Sequence, residues 1–454
     1  MKTAIIMAAG KGTRMNSNIP KPLHKICGKP MVEHIVDNLK SINVEEIVTI
    51  IGYGGSQVQE HLKDKSMYAV QEPQLGTGHA VMQAVQFKDY QGITLVVNGD
   101  CPNVQPHTFE KMFTELGDAS MLVLSAKLDD PKAYGRVIRD QQDNVLKIVE
   151  FKDCNQQEKL INEINTGIYA FKTEDLFSNL EKLNNQNNQK EYYITDLVEI
   201  FNQQGKSVKA YIIPDSEEAA GINDKIELAQ ANMWLQAKIN QKWMRQGVTM
   251  INPNQVYIDA DVSIGQDTII YPNNYLVGKT KIGANCTILS GCYIADSVIG
   301  DHNRIDNSRI TDSKVGNEVM LGPWAHLRNG CEIADKNRIG NFVEMKNTYL
   351  GYDSRCVHLT YLGDAIVGSE VNIGCGVVTV NFDGVNKFQT VIKDGAFIGS
   401  NVNLIAPIEV GENAVVAAGS TVYSNVESEA LAIARARQEN KQGYGLKYKT
   451  KNKE

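Results

Sequence analysis

The chain has 454 residues, 42% hydrophobic and 22% charged, enough for two or three domains with ordinary buried cores. Its 46 Lys and Arg against 53 Asp and Glu leave a formal net charge of −7, which speaks against duplex nucleic acid as the main partner. The 8 Cys form no C-x-x-C pair, no apolar run approaches the roughly 18 residues of a spanning helix, and no signal peptide is expected, which excludes a zinc finger, a disulfide scaffold and a membrane protein and predicts a reduced, cytoplasmic one.

The first half alternates short apolar runs with helical spacing. Thr3–Ala9 (TAIIMAA) predicts a buried strand. After Pro30, which suits a first helical turn, Met31, Ile35, Val36 and Leu39 recur at helical spacing. Glu46–Ile51 predicts a strand, Gly76–Val85 a helix, Ile93–Val97 a strand ending at Asn98-Gly99-Asp100, and Met121–Ser125 another strand. This alternation predicts an α/β Rossmann-like domain with a mostly parallel sheet covered on both faces. Ligands of such sheets bind beyond the C-terminal strand ends, here the loops after Ala9 and Val97. Asp224–Gly247 keeps a rough helical stripe of Ile226, Leu235, Ile239 and Trp243, and predicts one long connecting helix.

After Pro253 the period becomes six. Ile258, Ile264, Ile270, Leu276, Ile282, Ile288 and Ile294 are all aliphatic. The register slips and resumes at Val315, Leu321, Leu327, Ile333, Ile339 and Met345, and again at Ile392, Ile398, Leu404, Val410, Val416 and Val422. Neither a strand nor a helix repeats every six residues, whereas short strands and tight turns stacked into a prism do. A parallel β-helix of hexapeptide repeats is therefore expected, interrupted by a functional loop at Asn381–Gln389. The expected domains are residues 1–225, a helical linker 226–247, and the β-helix 248–454, whose Lys-rich end beyond about Gly443 is expected to be a disordered tail.

Two constellations exceed what folding requires. The loop AAGKGTRM at residues 8–15 lets backbone N–H groups approach a phosphate, with Lys11 and Arg14 adding charge and Pro20-Lys21 following. It is neither a P-loop nor a dinucleotide fingerprint. Gln71 presents both a donor and an acceptor, which matches a uracil edge, and Gly76 and Thr77 leave room for a base. Asp100, at a strand end, suits Mg²⁺, which prefers one or two carboxylates plus phosphates and waters. In the second half, Arg328, Lys346, His358 and Tyr361 are chemically demanding residues in a repeat that needs only aliphatic, small and turn residues.

The loop at residues 8–15 with Pro20-Lys21 is similar to the signature of sugar-phosphate nucleotidyltransferases. Over nearly its whole length the chain resembles the bacterial family of bifunctional N-acetylglucosamine-1-phosphate uridylyltransferases fused to glucosamine-1-phosphate acetyltransferases. The resemblance implies that Met7, Ala8, Ala9 and Gly10 border the uridine, with Lys21, Gln71, Gly76 and Thr77 completing the nucleotide site and Asn98 and Gly99 beside Asp100 in the same pocket. It implies that Gly135, Glu150 and Asn165 hold the sugar and that Asp100 and Asn223 hold Mg²⁺. Lys21 and Arg14 would assist in-line attack of the sugar phosphate on UTP.

For the second half the resemblance implies a left-handed β-helix. Arg328 and Lys346 would bind the phosphate of glucosamine-1-phosphate, and His358 would be the general base. Tyr361, Asn372 and Asn381 would orient the amino sugar or the acetyl donor. Cys375, Ser400, Ala418 and Arg435 match positions near acetyl-CoA. Phe382 stands where the family usually has Tyr and lacks its hydroxyl, and Cys101-Pro102-Asn103 also departs from the usual pattern. Homotrimers with acetyl sites between subunits follow from the same resemblance, without nucleic-acid or membrane partners. A single-function pyrophosphorylase with a regulatory or scaffolding β-helix is the alternative.

Overall fold

The computed structural model describes residues 1–449. It divides into two compact units, Met1–Gln236 and Ala237 onward, and the division falls inside the helix Lys225–Arg245. That helix starts where the Asp224 carboxylate accepts from the N–H groups of Ile226 and Glu227 (2.8 and 2.9 Å). It stops before Gly247, whose φ of +93° ends the helical run.

The first unit is built on one twisted sheet. Its strand order is Val208–Ile212, Met121–Lys127, Glu163–Lys172, Ile93–Asn98, Lys2–Met7, Glu46–Ile51 and Met67–Val70. All main pairings are parallel except those of Glu163–Lys172, which runs antiparallel to both neighbours. A hairpin, Arg136–Arg139 with Val145–Val149, extends from that strand. Lys2–Met7 is buried on both faces because its side chains alternate between two cores. Ala4 and Ile6 pack with Val36, Leu39, Phe109 and Met112, while Ile5 packs with Val81, Phe87, Phe171 and Phe201.

Two sequence boundaries shift for stated reasons. The first strand ends at Met7 rather than Ala9, because the carbonyl of Ala9 turns away to accept from Tyr53 N (3.1 Å) and the Gln74 amide (2.5 Å). The helix expected over Gly76–Val85 is shortened to Thr77–Met82. Gly76 has a φ of +107°, and a Cβ there would meet the Tyr192 carbonyl at 2.7 Å.

The second unit is a left-handed parallel β-helix. All of the six-spaced aliphatics named above are buried in its interior. Three hexads close one coil, so that Ile264 stacks on Ile282, Ile270 on Ile288 and Leu276 on Ile294. At the corners, residues with positive φ form columns, as in Asp267, Asn285 and His302, or Asn307, Trp324, Phe342 and Leu359. Over the β-helix as a whole most residues with positive φ are Asn, Asp or Gly, which bear that conformation at least cost, although His302, Trp324, Phe342 and Leu359 are exceptions.

The slip in the period has a local cause. The Thr280 hydroxyl donates to the Val277 carbonyl three residues back (2.8 Å), closing a full corner. On the next coils Ser297 and Ser313 reach only two residues back, to Ala295 and Thr311 (2.7 and 2.8 Å). These corners, with that of Ser308, whose hydroxyl donates to Asp306 O two residues back (2.6 Å), bring Ile299, Ile305 and Ile310 into the core in place of a strict six-residue series. The excursion at Asn381–Gln389 leaves the prism as a small hairpin. It is closed by Phe388 N to Asn381 O (2.8 Å), with Asp383 accepting from Val385 N and Asn386 N (2.8 and 2.6 Å).

None of the eight cysteines is in a disulfide, and Cys375 is the exposed one. No helix among the described residues is long and apolar enough to cross a membrane. In the expected tail, Leu446–Lys449 forms one helical turn where Tyr444 meets Tyr448 edge-on (6.0 Å), and the last five residues of that tail lie outside the described residues.

Candidate active sites

The first site sits where the parallel strands Lys2–Met7 and Ile93–Asn98 end side by side. Met7 is in register with Asn98, and Gly99 N donates to Met7 O (2.9 Å). Ala8 and Ala9 are buried beneath the loop and Gly10 is exposed. The Lys21–Leu23 turn, set by Pro20, points the Lys21 ammonium back across this edge. There it pairs with the Asp100 carboxylate and donates to Asn223 Oδ1 (2.9 Å). Arg14 Nη2 donates to the same Asn223 oxygen (2.9 Å). Asn223 is itself held by its N–H to Glu227 Oε2 (2.6 Å). Four predicted residues from distant segments therefore meet. The oxygens of Asp100 and Asn223 already face one cation, and this hard oxygen set, completed by phosphates and waters, fits Mg²⁺.

Gln71 is buried, and its amide nitrogen donates to the Gly76 carbonyl (2.9 Å). The same amide nitrogen lies 3.3 Å from His79 Nδ1. A cavity of about 230 Å³ is lined by Met7, Thr77, Asn98, Asp100, Gly135, Glu150, Asn165 and Asn223 among others. Asn165 N donates to Gly135 O (2.9 Å), and the Asn165 amide donates to the Tyr169 hydroxyl (2.8 Å). Burial first, then the carboxylates of Asp153, Asp196 and Glu191, raises the pKa of Glu150. Tyr169 and Thr195 also line the cavity. Sequence reading missed both, since neither sits in a Gly-rich or charged motif.

The second site is on the β-helix. Arg328 stacks on Lys346, and Lys346 on Gly363, in successive coils. Arg328 reaches Glu344 Oε1 through Nε and Nη2 (2.9 and 2.6 Å), which fixes its fork. Lys387, from the excursion, crowds Lys346 and is the main cause of a lowered Lys346 pKa, followed by desolvation. Asp364 loses some solvation, but hydrogen bonds from Asn347 and Asn381 (2.8 and 2.6 Å) hold its pKa below the usual value. Arg328, Lys346 and Lys387 thus gather three positive charges beside two carboxylates, Glu344 and Asp364. Lys387 was named only as part of the loop; the sequence pairs it with nothing.

Tyr361 lies on the same face, next to Glu344 in register. His358 is exposed at the preceding corner and in register with Asn341. The registers of the following coils place Cys375, Ser400 and Ala418 in one column with His358. All four are exposed, and Arg435 is exposed farther along the chain. Asn372 falls on the other side of the Gly376 corner from Tyr361, in the strand between Arg355 and Phe397. Within one chain, Asn372 and Arg435 are therefore not gathered with Arg328 and Lys346. Phe382 is exposed on the hairpin and paired with Lys387 across it.

Residues 3–244 match the Nucleotidyl transferase family, residues 252–380 the GMPPB C-terminal domain, and residues 389–424 the bacterial transferase hexapeptide (six repeats). The chain is 48% identical over 444 residues to "Bifunctional protein GlmU" of Listeria monocytogenes serotype 4a (strain HCC23), covering 97% of each. It is 49% identical, with the same coverage, to the protein of that name from Geobacillus sp. (strain WCH70). Among solved structures, HddC from Yersinia pseudotuberculosis is similar over 52% of this chain and 100% of its own, with a TM-score of 0.40 and 21% identity.

Proposed function

The chain belongs to the family of bifunctional GlmU proteins, and from that premise we propose how its residues divide the work of two transfers. The enzyme makes UDP-N-acetylglucosamine by acetyl transfer in the hexapeptide half and uridylyl transfer in the nucleotidyltransferase half. The single-function alternative falls away, because the relatives that carry the bifunctional name align over both halves. We assign uridylyl transfer to residues 1–225, a linker to 226–247 and acetyl transfer to the remainder.

In uridylyl transfer the phosphate oxygen of N-acetylglucosamine-1-phosphate attacks the α-phosphorus of UTP in line, and pyrophosphate leaves. No covalent enzyme intermediate is required. Met7–Gly10, Gln71, Gly76 and Thr77 bind the nucleotide, Asn98 and Gly99 close the floor, and Gly135, Glu150 and Asn165 hold the sugar. Lys21 and Arg14 neutralise phosphate charge and align the two substrates. Asp100 and Asn223 would hold Mg²⁺, which supplies further charge neutralisation on the phosphates.

In acetyl transfer Arg328 and Lys346, joined by Lys387, bind the phosphate of glucosamine-1-phosphate. His358 takes a proton from the amine as it attacks the thioester of acetyl-CoA, and the thiol leaves with a proton. Tyr361, Asn372 and Asn381 orient the reacting groups. Cys375, Ser400, Ala418, Phe382 and Arg435 border acetyl-CoA, with Cys375 a small packing residue. In a homotrimer, which we propose for the protein in the cytoplasm, a second subunit would bring Asn372 and Arg435 to the residues of the first.

Two observations carry the reading: the meeting of Lys21, Arg14, Asp100 and Asn223 at the strand ends of the first unit, and a separate cationic cluster on the β-helix of the second. Paired assays test it. Thiol release is followed with acetyl-CoA and glucosamine-1-phosphate, and pyrophosphate release with UTP, dTTP or ATP. His358→Ala is expected to abolish the first and spare the second, and Asp100→Ala to do the reverse. Loss of both activities from either folded variant would defeat the assignment of independent sites.

A further inference from the structure

The His24 ring is a polar group beside the uridylyl site that the mechanism leaves unused. It follows the Lys21–Leu23 turn directly and is 5% exposed. Its backbone carbonyl accepts from Met31 N (2.9 Å), which ties the turn to the next helix. The ring Nδ1 lies 3.1 Å from the Lys225 ammonium. An ammonium only donates, so Nδ1 is the acceptor and the ring proton is on Nε2. Nε2 is buried with no hydrogen-bond partner. Burial first, then the Lys225 charge, holds the ring below its usual pKa, against a smaller opposing effect of the Ile19 backbone. A buried donor left unsatisfied is costly, and a plain apolar side chain would fill the space without that cost.

What the imidazole supplies is a tie. Lys225 opens the long helix two residues after Asn223, and His24 comes three residues after Lys21. Two hydrogen bonds therefore run between the same two segments: Lys21 Nζ to Asn223 Oδ1 (2.9 Å) and Lys225 Nζ to His24 Nδ1 (3.1 Å). One bond alone lets the turn pivot about it, and a second fixes its orientation. We infer that His24 and Lys225 are positioning residues for uridylyl transfer, holding the Lys21 ammonium and the Asn223 amide in the alignment the reacting phosphates need. This inference rests on the uridylyl-transfer reading of the first half.

The test uses the full chain. Uridylyl transfer by the wild type is measured first; its absence would defeat the functional reading and not the tie, which a crystal structure of the same protein would still display. His24→Leu is expected to lower uridylyl kcat about tenfold or more while leaving KM for UTP and sugar phosphate within about twofold, since small misalignments act on the transition state. Thiol release from acetyl-CoA is expected to stay unchanged. His24→Asn, whose side-chain oxygen can replace Nδ1 as acceptor, is expected to recover most of kcat. Lys225→Met is expected to match His24→Leu, and the double variant to be no worse than either. Should His24→Leu fail to fold, Lys225→Met and His24→Asn decide the matter alone. An unchanged kcat in folded Lys225→Met, or additive losses in the double variant, would overturn the inference.

Discussion

Tyr361 lays its hydroxyl over the backbone of Gly363, two residues along the same strand, at a spot no other residue type leaves open. A Cβ on Gly363 would collide with that hydroxyl and would meet the Asn381 amide nitrogen at 2.8 Å. Gly363 N also donates to Thr379 Oγ1 (2.7 Å), so its backbone cannot retreat. The glycine therefore sets the height of the tyrosine above the face that carries Arg328 and Lys346.

Gly363→Ala is expected to displace Tyr361 and Asn381 together. Acetyl transfer should fall roughly 10- to 100-fold, in kcat more than in KM, because alignment rather than binding is lost. Stability should fall by about 1–3 kcal/mol, as for overpacking elsewhere. Thiol-release kinetics and urea unfolding check both, with pyrophosphate release from UTP as the unaffected control.

The three cations of the phosphate cluster make a different kind of prediction. Lys346→Met and Lys387→Met should each raise KM for glucosamine-1-phosphate roughly tenfold and leave kcat within about threefold, the pattern of lost uniform binding. Raising the salt concentration should increase that KM in the wild type and less so in either variant, because the exposed charges are screened. A KM that ignores both salt and Lys387→Met would place the phosphate elsewhere.

What was legible in the sequence follows the range of the forces involved. Ile264, Ile270 and Leu276 announce the prism because its interior admits one aliphatic side chain per strand, and the requirement repeats along the chain. The loop around Gly10 and the strand end at Asp100 are short motifs whose chemistry is local. The missing pieces are set by tertiary structure. Thr195 and Tyr169 enter the cavity beside Glu150 and Asn165 from a turn and a strand with no motif of their own, and Lys387 meets Lys346 only because the hairpin folds back. Asn372 shows the reverse case: close in sequence to Cys375, it is separated from the Tyr361 face by the corner at Gly376. The slips of the hexad lie in Ser297 and Ser313, whose hydroxyls close shorter corners than Thr280 does.

Asp196 gives a pH signature to the first half. Burial first, then the charges of Glu199 and Asp153, pushes its pKa from 3.8 up to about 6. The folded state thus keeps a proton that the unfolded chain releases. The stability this provides is full below pH 3.8, declines as pH rises through about 6, and is gone above. Asp196→Asn removes the buried charge and should stabilise the protein by about 2 kcal/mol at pH 7.5. The gain should shrink steadily as the pH is lowered to 5. Urea unfolding of both proteins at the two pH values measures it, and a gain independent of pH would point away from Asp196 ionisation.

Lys21 lies between Asp100 and Asn223, the two residues proposed above to hold a divalent cation. The ammonium then has two duties that a substitution can separate. Lys21→Met leaves the Asp100 carboxylate without its cation, so Mn²⁺ used as a spectroscopic probe should bind the nucleotide-free variant about tenfold more tightly than the wild type. Uridylyl kcat should nevertheless fall by roughly a hundredfold or more, because the neutralising charge on the phosphates is lost. Electron paramagnetic resonance of free Mn²⁺ gives the affinity, and pyrophosphate release gives the rate. Weaker Mn²⁺ binding by the folded variant would mean that Lys21 supports the cation site instead of competing for it, and the charge balance proposed for this pocket would have to be redrawn.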